Sequence, residues 1–294
     1  MPDFTTPDFL AIGHLTFDVT PEAGNPHGRV RPGGAAAFAA MSALALGLRV
    51  AVVTSVTSSY PVDAVLPGID VHVVEAPFTT FFQNVYGEKG ERWQTLGGRA
   101  ASITRSDIPA PWIKAPIVFL GPLVREIPPD AVSWFPDAAV GAAVQGWLRR
   151  WDDYGRVTEQ TEPPAGLASG YRLLAGSISE FPQHEMERWA RYADLVGVTD
   201  GPAGSRIRSG GRETGIPAYR ADEIDPTGAG DIWAAACLVR LVETGDPLEA
   251  ARFANAAGSV SVERDGLSGA PERTEIEARM ARGPDDPARD TLEL

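Results

Sequence analysis

The chain has 294 residues, 44% of them hydrophobic and 22% charged, a composition that supports a sizeable core and excludes extensive disorder away from the ends. Its net charge of −13 disfavours nucleic acid and anionic membranes as partners, since both need a basic face. One cysteine, Cys237, excludes a disulfide framework and favours a reducing compartment, while the lack of an apolar window of ~20 residues excludes a helical membrane span, so a cytoplasmic protein is expected.

Phe9 to Gly13 is a short apolar run closed by glycine, which predicts a buried first strand, and Asp18 follows it. Residues 20–32 are rich in Pro and Gly and read as a turn or short hairpin outside the core. Gly33 and Gly34 then open an Ala-rich segment from Ala35 to Leu46 that closes at Gly47, the pattern of a buried helix with a glycine C-cap. Val50 to Thr54 is the next strand. A strand, a helix and a strand in succession point to a parallel sheet.

Val71 to Val74 continues the strand series, and Phe78 to Tyr86, a turn at Gly87 to Gly90, and Arg92 to Leu96 together predict a hairpin appended to the βα chain. Further strands are expected at Ile117 to Leu120 and Ala138 to Val144, with a short helix over Pro128 to Phe135 between them. Arg149 and Arg150, beside Trp147 and Trp151, read as a solvated structural face, with stacking on a base as the alternative. Arg172 to Gly176 and Leu195 to Thr199 read as strands, and Ser177 to Tyr192 as a helix carrying Glu180 in its first turn. Asp200 to Gly204 reads as a glycine turn before a returning strand. Residues 281–294 are polar and acidic and read as a fraying tail.

The segment Asp225-Pro226-Thr227-Gly228-Ala229-Gly230-Asp231 precedes a helix-compatible run reaching Val242, and a second helix is expected from Pro247 to Val262. Backbone amides of a Gly-Ala-Gly segment at a helix N-terminus can cradle an anion such as phosphate, and Asp231 in the first turn stands close enough to act as a general base. The alternative is a plain helix start with Asp at a position the helix dipole favours. The four histidines, His14, His27, His72 and His184, are scattered and read as surface or hydrogen-bonded residues, and Cys237 as a small buried apolar one. No zinc spacing, Rossmann fingerprint or Walker A sequence is present.

Gly13 to Asp18, the Gly33-Gly34 pair and the DPTGAGD segment together resemble the ribokinase-like (PfkB) carbohydrate kinase family over roughly residues 8–275. RPGGAAAF (Arg31 to Phe38), Thr79 to Phe81, and GSVSVE (Gly258 to Glu263) are most similar to its myo-inositol kinase branch. The resemblance implies a three-layer α/β/α fold with a mostly parallel central sheet, helices on both faces and a small β lid. It implies one kinase domain over residues 1–280, its lid drawn from about 17–32 and 78–96, and a polar tail at 281–294. It further implies transfer of the γ-phosphoryl group of ATP to a hydroxyl of a small polyol or sugar, myo-inositol first among candidates, with nucleoside kinase or a non-catalytic ligand-binding member of the fold as alternatives.

Residue by residue, Asp231 matches the general base, and Gly228, Ala229 and Gly230 the anion hole. Asp18 with Gly33 and Gly34 matches the acceptor site, Thr199, Gly201, Asn255 and Gly258 the nucleotide site, and Glu180 a Mg²⁺ ligand acting through water. ATP and Mg²⁺ are the implied cofactors, with a monovalent cation and a homodimer through the lid as further options. Two departures stand out: Phe38 occupies a position that is Asn in many sugar kinases, and Ser177 replaces the Asn of the metal-linked Asn-x-x-Glu. The short segment between Asp18 and Gly33 implies a small lid, completed by the 78–96 hairpin or by a partner subunit.

Overall fold

The computed structural model describes residues 5–22, 24–86, 92–181 and 185–284. The first half runs β1 (Phe9–Ile12), β2 (Thr16–Glu22), β3 (Asn25–Gly33), α1 (Ala35–Ala45), β4 (Val50–Val56), the single turn α2 (Val62–Val65), β5 (Asp70–Glu75), β6 (Thr80–Tyr86) and β7 (Arg92–Gly98). Next come β8 (Ile117–Leu120), β9 (Ala139–Ala143), the single turn α3 (Gln145–Leu148), β10 (Arg149–Trp151), β11 (Val157–Glu159), β12 (Tyr171–Ser177) and a third single turn, α4 (Met186–Trp189). The chain continues through β13 (Ala193–Thr199), β14 (Ser205–Ser209), β15 (Arg212–Ile216), α5 (Ala229–Thr244), α6 (Pro247–Ser261) and α7 (Arg273–Arg282).

Nine strands form one sheet in the order β15-β14-β13-β12-β9-β8-β1-β4-β5, parallel except for the antiparallel edge made by β14 and β15. Alternation sorts its side chains onto two faces. Phe9, Ala11, Ile117 and Phe119 join the core under α1, α5 and α6, whereas Leu10, Ile12, Val118 and Leu120 join the opposite one. Both faces carry helix, but unequally. On the second face the cover includes the single turns α3 and α4 and 3₁₀ turns at Trp112–Lys114 and Ala131–Trp134, anchored by the fully buried Trp112, Trp147 and Trp189.

Local chemistry sets the ends of the long helices. α5 stops at Gly245, a left-handed C-cap with φ 69°, and Asp246 caps α6 by accepting from the amides of Leu248 (2.8 Å) and Glu249 (3.2 Å), with Pro247 at the first helical position.

The lid is a separate four-stranded sheet, β3-β2-β6-β7. The 20–32 segment therefore forms strands, and the hairpin β6-β7 completes the lid by parallel pairing of β2 with β6. Two expectations change. The helix expected over Pro128 to Phe135 is a 3₁₀ turn limited to Ala131–Trp134, hemmed by Pro128, Pro129 and Pro136. Among the described residues of 177–192 a turn is followed by the short α4, because Ser177 still belongs to β12 and Glu180 folds back onto it. The turn at Gly87 to Gly90, the side chain of His27, and His184 lie outside the described residues. His14 is buried and bonds Thr80 Oγ1 (2.8 Å) and the Ala101 carbonyl (2.7 Å). Cys237 is buried, which pushes its thiol pKa up.

Candidate active site

The C-terminal ends of the central strands, the start of α5 and the inner face of the lid enclose a cavity of about 890 Å³. Open parallel sheets characteristically bind ligands at this end of their strands. Asp18, Gly34, Phe38, Ser177, Glu180, Thr199, Gly228, Gly230 and Asp231 all line it. Gly33 lies behind Asp18: a methyl group there would sit 2.5 Å from Asp18 Oδ2, so the carboxylate needs the bare backbone beneath it.

Gly228 caps α5 in the left-handed conformation (φ 78°). An added Cβ would stand 2.2 Å from the Phe38 ring, so Phe38 occupies the space under this turn and forces glycine there. Of the three residues expected in the anion hole, Gly228 and Gly230 line the cavity, whereas Ala229 does not and its amide bonds back to the Pro226 carbonyl at 3.2 Å. Asp231 is the acidic residue in the first turn of α5. Burial, with a further push from Glu180, raises its pKa to about 7 against the opposing pull of Arg149.

Glu180 is buried, and its pKa is raised chiefly by that burial. Its Oε1 accepts from Gln145 Nε2 (2.5 Å) and its Oε2 from the Ser177 amide (2.8 Å). Gln145 in turn accepts from Arg149 Nη2 at 2.7 Å, and the Arg149 guanidinium lies 4.9 Å from the ring centroid of Phe82 on the lid. Arg149 and Gln145 line the cavity. The expectation of a solvated face is thus corrected for Arg149, which is only 3% exposed. The single turn of α3 swings Arg149 inward, where its charge partly offsets two buried carboxyl groups. The one hint in the sequence was the tryptophan and leucine before it, a buried context for a cation.

On the lid, Asn84 accepts from Gln94 Nε2 (2.9 Å), and both line the cavity. Gly201, Asn255 and Gly258 are not among the lining residues. Asn255 is buried and spent on the fold: its Oδ1 accepts from Ser205 Oγ and Trp233 Nε1, both at 2.7 Å, and its Nδ2 donates to the carbonyls of Ile216 and Pro217.

The fold family implies Mg²⁺. Among the described residues no group of three or more His, Cys, Asp or Glu side chains could hold a metal ion. Glu180, one carboxylate facing the cavity beside the hydroxyls of Ser177 and Ser179, suits an ion that keeps most of its coordination shell as water and phosphate oxygen. Such an ion, when bound, supplies charge neutralisation to the phosphates.

Residues 181–274 match the pfkB family carbohydrate kinase. The chain is 41% identical over 96 residues to ribokinase of Bacillus subtilis (strain 168), covering 32% of this chain and 33% of that protein. It is 41% identical over 94 residues to inositol 3-kinase of Arabidopsis thaliana, covering 32% of this chain and 26% of that protein. These matches span about a third or less of the length of those relatives. Among solved structures, a sulfate complex of a pyrophosphate-dependent kinase in the ribokinase family superposes with a TM-score of 0.77 at 21% identity, over 92% of this chain and 99% of that one. A pyrophosphate-dependent kinase of that family, complexed with a pyrophosphate analogue and myo-inositol, gives 0.75 at 22%, over 92% and 99%. The fold is therefore that of the ribokinase-family structures over nearly the whole chain, and the match to the pfkB carbohydrate kinase family covers residues 181–274. Among the described residues no helix is long and apolar enough to cross a membrane.

Proposed function

We propose that this protein transfers the γ-phosphoryl group of ATP to a hydroxyl of a small polyol or sugar, with myo-inositol the first acceptor to try. The observation that carries the reading is a carboxylate of raised pKa, Asp231, at the helix N-terminus that holds Gly228 and Gly230, in one cavity with Asp18. Asp18 holds the acceptor through its hydroxyls. Asp231 takes the proton from the attacking oxygen, and the Gly228 and Gly230 amides stabilise charge on the transferring group. Arg149 keeps part of the Asp231 population ionised in a setting that otherwise favours the neutral acid. Glu180 is the residue that would hold Mg²⁺ through water. The kinase unit covers residues 1–280, with its lid from 17–32 and 78–96.

Pyrophosphate as donor is a second reading. Asn255, expected beside adenine, has its amide committed to Ser205, Trp233, Ile216 and Pro217, and two structural neighbours are pyrophosphate-dependent kinases. One experiment serves both readings: the purified protein with Mg²⁺, ATP or pyrophosphate as donor, and a panel of polyols, sugars and nucleosides as acceptors. ATP-dependent phosphorylation of a polyol is the expected result. Turnover with pyrophosphate alone moves the assignment to the second donor, and tight ligand binding without turnover on either donor removes the enzymatic reading.

A homodimer through the lid is part of this proposal. The lid face turned away from the cavity carries Val30, Phe81, Val85 and Trp93, all exposed, with Trp93 59% accessible. Trp93→Asp is expected to convert a dimer to a monomer in sedimentation while the core stays folded. A wild-type protein that sediments as a monomer removes this part of the proposal.

A further inference from the structure

Two arginines of β3, Arg29 and Arg31, stand on the cavity side of the lid; Arg31 reaches across to the segment that precedes α5, and both reach Asp265 in the loop after α6. Arg31 Nη1 donates to Asp225 Oδ2 at 2.6 Å, and its Nη2 lies 2.7 Å from Asp265 Oδ1. Arg29 adds a longer contact to Asp265, 3.4 Å. Asp225 is buried, and it holds its own turn together: Oδ1 accepts the Thr227 amide at 3.0 Å, and Oδ2 the Gly266 amide at 3.2 Å. A carboxylate at the head of the phosphate-handling turn is therefore bonded by a guanidinium that belongs to the lid.

The other half of the link is the register of β2 and β3, in which Arg31 pairs directly with Asp18. Cross-strand partners share one face of a sheet and move together. One side chain thus connects the strand pair that presents the acceptor carboxylate to the turn that presents the Gly228 and Gly230 amides. An exposed ion pair would count for little. This one is two-pronged, ends on a buried carboxylate, and on removal leaves that carboxylate short of its cation.

We infer that Arg31 is a positioning residue that holds the Asp225–Gly230 turn in transfer geometry while the lid strands carrying Asp18 are seated, so that acceptor and amide cradle come into register together. The inference rests on the phosphotransfer reading above. Donor bound without a seated lid then meets a looser turn, and transfer is favoured over wasteful hydrolysis.

The experiment compares the full-length wild type with Arg31→Ala, Arg31→Lys and Asp265→Asn by amide hydrogen exchange and by steady-state kinetics. In Arg31→Ala the amides of Thr227 to Gly230 are expected to exchange at least about tenfold faster, with α6 and the central strands unchanged. Its kcat is expected to fall about 100-fold, as for a small misplacement remote from the chemistry. Transfer is expected to fall more than acceptor-independent donor hydrolysis, so the ratio of the two drops. Arg31→Lys recovers part of the loss by keeping one prong, and Asp265→Asn shows a smaller change of the same sign. Unchanged exchange across Thr227 to Gly230 in Arg31→Ala overturns the inference. Should Arg31→Ala not fold, unchanged exchange there in both Arg31→Lys and Asp265→Asn overturns it instead. A wild type that transfers to no acceptor defeats the functional reading alone, because the exchange measurement still decides the role of Arg31.

Discussion

Asp231→Asn is expected to lower kcat for phosphoryl transfer by about 10²–10⁴-fold, the usual worth of a positioned general base, while binding of donor and acceptor persists. The environment of Asp231 adds a pH signature. A base must be ionised to act, so with a pKa of about 7 the wild-type kcat/KM should rise with pH through that value and level off above it. Stability should move the opposite way. The folded protein holds a proton on Asp231 between the ordinary carboxylate range and pH 7, whereas the unfolded chain does not. The stabilisation this provides is full below the unfolded pKa and lost as pH rises through about 7. Asparagine removes the buried charge, so the inactive variant should melt above the wild type at pH 8, by roughly 2 °C or more, and show little gain at pH 4. Full activity in the variant, or a flat pH profile, would remove Asp231 from the role of base.

Gly228→Ala should be nearly as damaging, by a different route. Alanine at φ 78° carries a left-handed penalty of about 1–2 kcal/mol, and its methyl would lie 2.2 Å from the Phe38 ring. Either the turn or the ring must move, and the amide of residue 228 moves with the turn. Loss of one such donor typically lowers kcat by about 10²–10³-fold. The expected outcome is a fall of that order in kcat with a smaller effect on acceptor KM. The double variant Phe38→Ala with Gly228→Ala relieves the clash but empties a buried site, so it should stay destabilised and regain only part of the activity, since the backbone strain remains. If the single variant keeps wild-type kcat, the Gly228 amide has no part in transfer.

The parallel sheet, α1, α5 and α6 were legible because strand and helix signals are local: apolar runs of four to seven residues ending in glycine, and Ala-rich segments with Gly, Asp and Pro at their ends. Asp231 was picked out by its place at a helix start, and Asp18 with the glycine pair through the family resemblance; Asp18, Gly34 and Asp231 line one cavity. Arg149 was not legible. Its burial depends on a single turn of helix, on Phe82 from the lid and on two carboxyl groups from β12 and α5 surroundings, none adjacent to it in sequence. The Arg31 latch was hidden for the same reason, its partners lying near the far end of the chain. Asn255 misled because an amide at that position can serve a ligand or the fold equally well. Only the positions of Trp233, Ser205 and the carbonyls of Ile216 and Pro217 show that its side chain is held by the fold.

The parallel pairing of β2 with β6 carries a consequence for how the molecule assembles. Between those strands lie β3, α1, β4, α2 and β5, most of which must already be docked on the large sheet before Thr16 can meet Thr80. Closing so long a loop costs entropy, so the β2–β6 pairing is expected to form later and open sooner than the large sheet, which amide exchange along β6 would report. The two halves of the cleft are therefore expected to differ in durability: the amide turn is rooted in the main core, whereas Asp18 rides on a small sheet joined to its second hairpin by one long-range pairing.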